Sequence, residues 1–279
     1  MRVDFMLIGA QKSGTTSLAN YLASHPQICF CREKEPQFFS KSPDWRAGLD
    51  EYHRLYNPSP GQICGEGSTT YTFLPEWPDT AHRLHDYNPN LKFIYIIRHP
   101  VERIVSHYAH RFARDRINRP PQIEVLEDPV YINRSRYAVQ LRPYFELFPP
   151  HNTMLLIFEE FIADPQGYWA YIAEFLGIDR VGFSEENFTA HNTSVGTVTI
   201  KKMPDFVRPL RGLVPAPLRA ELRRRMTSEL TEKPVFPDSL RGLLWRFLED
   251  DVREIETLLG RPVEAWRNAA QAQNLLTEE

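Results

Sequence analysis

The sequence predicts a three-layer α/β/α fold around a central, mostly parallel sheet, on three observations. Residues 3–8 are a short apolar run that stops at Gly9, passes through a small polar loop and continues after Gly14 as a helical pattern. Residues 91–97 are apolar almost without interruption, as a strand covered on both faces requires, and a helical pattern follows Pro100. Residues 153–158 repeat the apolar run between two further helical stretches. Strands that alternate with helices in this way build parallel sheets with helices on both sides.

The first strand, 3–8, feeds a loop whose glycines at 9 and 14 let the backbone turn tightly and aim its N–H groups inward. The helix that follows, 15–24, sets Leu18, Tyr21 and Leu22 toward the sheet and brings the positive end of its dipole to the loop. A phosphate or a sulfate is the expected ligand. The spacing Gly9-x-x-x-x-Gly14 matches the first half of a P-loop, but Thr15 stands where a nucleoside triphosphatase carries Lys, and the loop's own lysine is Lys12.

His25-Pro26 ends that helix. Lys34-Glu35-Pro36 is a charged turn ahead of the aromatic pair Phe38-Phe39, and 45–56 is an aromatic-rich helix or loop. Residues 57–61 form a turn, and 63–71 a buried strand running into a loop of small residues that is expected to face the same ligand. A helix over 78–87 and a turn over 88–90 lead to the strand 91–97, which ends at Arg98. In the helix after Pro100, Val101, Ile104, Val105, Tyr108 and Phe112 recur at helical spacing. The same periodicity assigns Arg103, His107, His110, Arg111 and Arg114 to the outer side of the helix, a solvated face or a surface that attracts an anionic acceptor. Residues 120–136 are expected to be a long surface excursion, 137–148 and 165–176 helices, 187–203 a polar stretch, 208–226 a basic one and 239–259 an amphipathic helix. No internal repeat or low-complexity linker interrupts the chain.

The 279 residues, 42% of them hydrophobic, suffice for one large domain, 1–279, with a C-terminal helical part over about 204–279. A net charge of −3 gives no global attraction to nucleic acid, so no nucleic-acid partner is expected. Three cysteines, no signal peptide and no long apolar run point to a reduced, cytoplasmic protein with no transmembrane segment. Cys29 and Cys31 have no matching pair nearby and are expected as buried or half-buried thiols, not zinc ligands.

Three separated segments then resemble one family. Gly9-Ala-Gln-Lys-Ser-Gly-Thr-Thr16 resembles the loop with which sulfotransferases dependent on 3′-phosphoadenosine 5′-phosphosulfate (PAPS) hold the 5′-phosphosulfate, and Arg98-His-Pro-Val-Glu-Arg-Ile-Val-Ser106 resembles their 3′-phosphate motif. Lys34-Glu-Pro-Gln-Phe-Phe39 is similar to the segment that carries the catalytic base in the heparan-sulfate and related carbohydrate branch, with this chain looking like a soluble, bacterial-type member. Weaker likeness runs through residues 158–165 and around Trp266. One departure stands out: that branch often has Lys after the glutamate of the segment 66–71, where this chain has Gly67.

The resemblance implies a P-loop-like 5′-phosphosulfate loop and transfer of a sulfuryl group from PAPS, leaving 3′-phosphoadenosine 5′-phosphate (PAP), to a hydroxyl or amine of a glycan or small molecule. The reaction needs charge neutralised on the leaving phosphate and a proton taken from the acceptor, and in principle no metal. Lys12 is placed to meet the bridging oxygen, and Gln11, Ser13, Gly14, Thr15 and Thr16 to cradle the 5′-phosphate. Arg98 at the strand's carboxyl end and Ser106, about two helical turns on, are expected to share the 3′-phosphate. Lys201 and Lys202, with His191-Asn-Thr-Ser194, resemble the late loop that closes over the nucleotide. Glu35 is the expected general base, with His53, His85 and His107 as competitors.

Two other classes remain open from the residues alone. A nucleotide kinase or P-loop ATPase would use the same loop with Mg²⁺. A non-catalytic module for anionic ligands would use the basic run that holds Arg219, Arg223, Arg224 and Arg225.

Overall fold

Strand β1 (Phe5–Gly9) is buried along its whole length because it lies at the centre of a parallel five-stranded sheet covered on both faces. Its neighbours are β3 (Ile63–Gly67) on one side and β4 (Lys92–Ile97) on the other, with β2 (Ile28–Phe30) and β5 (Thr153–Ile157) at the edges. The computed structural model describes residues 1–113, 117, 119–180, 199–201, 227–229 and 235–267. Leu7 pairs with Gly67 of β3 and with Ile94 of β4, so the carboxyl ends of the central strands finish close together. Strand alternation assigns the two faces. Phe5 and Leu7 pack with Leu18, Tyr21 and Leu22 of α1 (Thr15–Ser24) and with Trp169 and Ile172 of α10 (Pro165–Leu176), whereas Met6 and Ile8 pack with Leu84 and Tyr87 of α4 (Thr80–Tyr87). Truncating Leu18, 0% exposed at the centre of one layer, to Ala costs about 2–5 kcal/mol.

The second half builds a third cluster. In α5 (Pro100–Ala113), Val101, Ile104 and Tyr108 meet Leu240, Leu244 and Leu248 of α11 (Asp238–Leu259). Helix α8 (Tyr137–Leu147) begins where Asp251 of α11 accepts hydrogen bonds from the Ala138 and Val139 amides, at 3.2 and 3.1 Å. The carboxylate thereby satisfies amides that a helix start leaves without partners.

Two expectations about this half are corrected. Residues 120–136 are not a surface excursion: they fold into α6 (Pro121–Glu127) and α7 (Val130–Asn133), and Tyr131 and Ser135 are fully buried. Arg103 and His107 therefore do not face solvent, since α7 and Ser135 cover that side of α5. Arg103 donates from Nε to Ser135 Oγ at 2.6 Å and from Nη2 to the Tyr131 carbonyl at 2.7 Å. His110 and Arg111 are only partly exposed, and Arg114 lies outside the described residues.

Smaller differences follow local packing. Apolar run 153–158 ends as a strand at Ile157, and Phe158 opens the short helix α9 (Phe158–Ala163). Cys31 falls just past β2 and is buried, while Cys29 is half-buried. The amphipathic helix starts one residue earlier than its periodicity suggests. Strand β6 (Thr199–Lys201) pairs antiparallel with β7 (Thr227–Glu229). Most of the polar and basic stretches 187–203 and 208–226, with Lys202 and the His191–Ser194 loop, lies outside the described residues. Among the described residues no helix is long and apolar enough to cross a membrane.

Candidate active site

The anion loop leaves the sheet at β1, and its conformation depends on both glycines. Gly14 has φ 89° and forms the N-cap of α1, where no side chain caps the helix and no acidic residue stands in the first turn. The amides of Thr15 and Thr16 are thus available to an anion, reinforced by the helix dipole. A Cβ at Gly9 would stand 2.5 Å from the Tyr95 ring and 2.7 Å from Thr72 Oγ1, so the backbone passes there only without a side chain. Thr15 is half-buried, Thr16 exposed and Ser13 fully buried. Lys12 has φ 73°, a left-handed conformation that a lysine adopts only when its surroundings impose it. Gln11 beside it accepts a hydrogen bond from Arg134 Nη1 at 3.0 Å, and Arg134 also reaches both carboxylate oxygens of Glu76 and stacks over the Phe73 ring.

Arg98 follows β4, directly beside the loop, because β1 and β4 are neighbours and Ala10 N donates to the Ile96 carbonyl at 2.7 Å. Phe158 joins the two. Its ring packs where a Cβ on Gly14 would be, and the Arg98 guanidinium lies 5.3 Å from the ring centroid. Arg98 Nε is buried with no hydrogen-bond partner among the described residues, an orphaned cationic donor of the kind an anion satisfies. Ser106 lies on α5, partly exposed. The next residue after Phe158, Glu159, accepts from His99 N at 2.9 Å and from Trp266 Nε1 at 3.0 Å, which ties the Arg98 segment to the far C-terminal part of the described chain. Lys201 ends β6, which packs beside α5.

Glu35 reaches the same edge by another route. Its segment is clamped side chain by side chain to residues 68–71 after β3: Thr69 Oγ1 donates to Glu35 Oε2 at 3.2 Å, Gln37 N to Ser68 Oγ at 3.0 Å, Phe39 N to Tyr71 OH at 3.3 Å, and the Ser40 and Thr70 hydroxyls lie 2.7 Å apart. Residues 68–72 are in turn fixed to the end of β1, through Ser68 N to the Leu7 carbonyl at 3.1 Å and Thr72 Oγ1 to the Ile8 carbonyl at 2.8 Å. The turn carrying Glu35 is therefore tied, through residues 68–72, to the end of β1, from which the loop carrying Lys12 leaves. Arg32, close by in sequence, donates to the Leu55 and Arg54 carbonyls.

Two competing histidines are at the wrong end of the sheet. His53 Nε2 bonds Tyr87 OH, which also accepts from Val3 N ahead of β1, and the His85 ring packs on Phe148 ahead of β5. His107 is buried against Tyr131, and burial together with Arg103, Arg134 and Arg111 lowers its pKa to about 2, so it is neutral and enclosed.

Sequence reasoning missed Glu66. It is fully buried, and its Oε2 accepts from Tyr52 at 2.6 Å and from Tyr56 at 3.4 Å. Burial raises its pKa, partly offset by those phenols. The spread of Tyr52, Tyr56 and Tyr71 along the sequence gave no local signal of a shared buried carboxyl. At Gly67, the nearest atoms to an added Cβ are Phe30 Cζ at 3.6 Å and Leu7 Cβ at 3.7 Å, so packing leaves room for a side chain where the branch often has Lys. Among the described residues no group of three His, Cys, Asp or Glu could hold a metal ion.

A parallel sheet whose central strand opens into a Gly-x4-Gly loop and a helix N-terminus, with an arginine ending the next strand, defines an α/β protein of the phosphate-loop class. Comparison with known proteins narrows this: the sulfotransferase domain family matches residues 2–203, and the chain belongs to that family. Over 215 residues it is 28% identical to the mouse heparan sulfate glucosamine 3-O-sulfotransferase 6, covering 73% of this chain and 60% of that protein. The Dictyostelium discoideum membrane-associated sulfotransferase kil1 is 35% identical over 126 residues, 43% of this chain and 26% of that protein. Among solved structures, a sulfotransferase from Alicyclobacillus acidocaldarius superposes with a TM-score of 0.67 at 26% identity, covering 96% of this chain and 99% of that one.

Proposed function

We propose that this chain, as one domain over 1–279, transfers a sulfuryl group from PAPS to a hydroxyl or amine of an acceptor by in-line displacement. The reading is supported by the tie of the Glu35 turn, through residues 68–72, to the end of β1, from which the loop carrying Lys12 leaves. The residues fit the nucleotide: open first-turn amides on α1, a backbone path that a Cβ at Gly9 or Gly14 would block, and the unpartnered Arg98 Nε. PAPS supplies the activated sulfuryl group, and the protein's part is placement and charge.

The Gly14, Thr15 and Thr16 amides hold the 5′-phosphate with Gln11 and Ser13 lining the loop, while Arg98 and Ser106 hold the 3′-phosphate and Lys201 and Lys202 contribute positive charge to the nucleotide. Lys12 stabilises negative charge as it grows on the leaving phosphate. Glu35 takes the acceptor's proton. Likeness to glucosamine 3-O-sulfotransferases makes an amino-sugar glycan the first acceptor class to test, and the free Cys29, Cys31 and Cys64 favour a reducing, cytoplasmic setting. No metal is needed for these steps.

Calorimetric titration with PAP in the presence of a chelator tests the nucleotide half, followed by a screen of hydroxyl and amine acceptors, heparan sulfate first, with labelled PAPS. PAP binding at micromolar affinity without metal is expected; tighter binding of Mg²⁺–ATP would favour a kinase.

A further inference from the structure

We propose that Thr69 is a positioning residue for Glu35, fixing which carboxylate oxygen receives the acceptor's proton; this rests on the reading of Glu35 as the base. Thr69 is 3% exposed, and of the four residues in the 68–71 clamp it alone touches the carboxylate itself. The other three bonds hold the turn's backbone at Gln37 and Phe39 and the side chain of Ser40. That turn needs holding. Glu35 and Gln37 both take left-handed backbone conformations, φ 53° and 55°, which are strained for a residue with a side chain.

A strained turn alone would leave the glutamate side chain free to rotate about its χ angles. A short hydroxyl rooted in a buried 3₁₀ turn, Thr69–Thr72, removes that freedom: with Oε2 accepting from Thr69, Oε1 is the oxygen presented to the acceptor. Thr72, three residues on, bonds the Ile8 carbonyl at the mouth of the anion loop, so the same turn sets the base relative to Lys12. Placement of this kind acts on turnover without changing the nucleotide site.

The test compares Thr69→Val, which keeps shape and loses the donor, with Thr69→Ser, which keeps the donor, each in the wild-type and Glu35→Gln backgrounds. Turnover is measured with the best acceptor of the screen, and PAP affinity by calorimetry. Thr69→Val is expected to lower kcat about tenfold, as loss of a hydrogen bond to a charged group does, with the PAP Kd within about twofold. Thr69→Ser should recover most of that loss. In the Glu35→Gln background Thr69→Val should cost less than about twofold, because the two residues act as one unit. Equal losses in both backgrounds, failure of serine to rescue, or a matching loss of PAP affinity overturns the proposal and leaves Thr69 a packing residue. Full activity of Glu35→Gln itself overturns the base assignment, and this inference with it.

Discussion

Substituting Gly14 by Ala perturbs both phosphate sites through one contact. At φ 89° an alanine bears about 1–2 kcal/mol of left-handed strain. Its methyl would also stand 2.8 and 2.9 Å from two carbons of the Phe158 ring, and forced overpacking of this kind costs about 1–3 kcal/mol. Together the variant should lose about 3 kcal/mol, a melting point lower by about 6–12 °C at this chain length. Because Phe158 also supports the Arg98 guanidinium, displacement of the ring should weaken PAP about tenfold or more. Differential scanning calorimetry and PAP titration measure the two effects. Gly14→Ala/Phe158→Leu should melt above the sum of the two single losses, since the smaller side chain no longer meets the new methyl. Strict additivity, or Gly14→Ala with unchanged melting and PAP affinity, would refute the coupling drawn here between loop, ring and arginine.

Further outcomes follow from the same geometry. Arg98→Ala combined with Ser106→Ala should weaken PAP sharply and leave adenosine 5′-phosphosulfate, which lacks the 3′-phosphate, nearly unaffected; equal losses in titration would reassign the phosphate. Lys12→Ala should reduce turnover more than PAP affinity, because the charge it meets grows in the transition state. Stability should fall on acidification from about pH 6.5 to 4: burial lowers His99 to about 4 and His107 to about 2, so in that range the unfolded chain binds protons that the folded one does not. Asp251 opposes them, since burial raises it to about 6 and the folded chain binds the extra proton between its ordinary value and 6. Chemical denaturation across this range should therefore show a steeper acid loss in Asp251→Asn than in the wild type.

The sequence was legible where one element carries its own signal. The loop between Gly9 and Gly14, the strand ending at Arg98 and the helix over Asp238–Leu259 each announce themselves through glycine spacing, unbroken apolar runs or helical periodicity. What it concealed depends on partners distant in sequence. Arg103 and His107 lie one helical turn apart among polar neighbours, which is also the pattern of a solvated face; only Tyr131 and Ser135, folded back from about thirty residues on, bury them. Glu66 likewise depends on Tyr52 and Tyr56 from another segment. The clamp on Glu35 needs two left-handed non-glycine residues, a conformation no propensity predicts because the clamp itself imposes it.

The proposed role of Glu35 as the base opposite Lys12 is tested most directly by single-turnover transfer from labelled PAPS to the best acceptor of the screen, in wild type and Glu35→Gln. The variant should keep its fold and bind PAP within about twofold of wild type while transfer falls by about 10²-fold or more. Transfer at the wild-type rate by Glu35→Gln would contradict it.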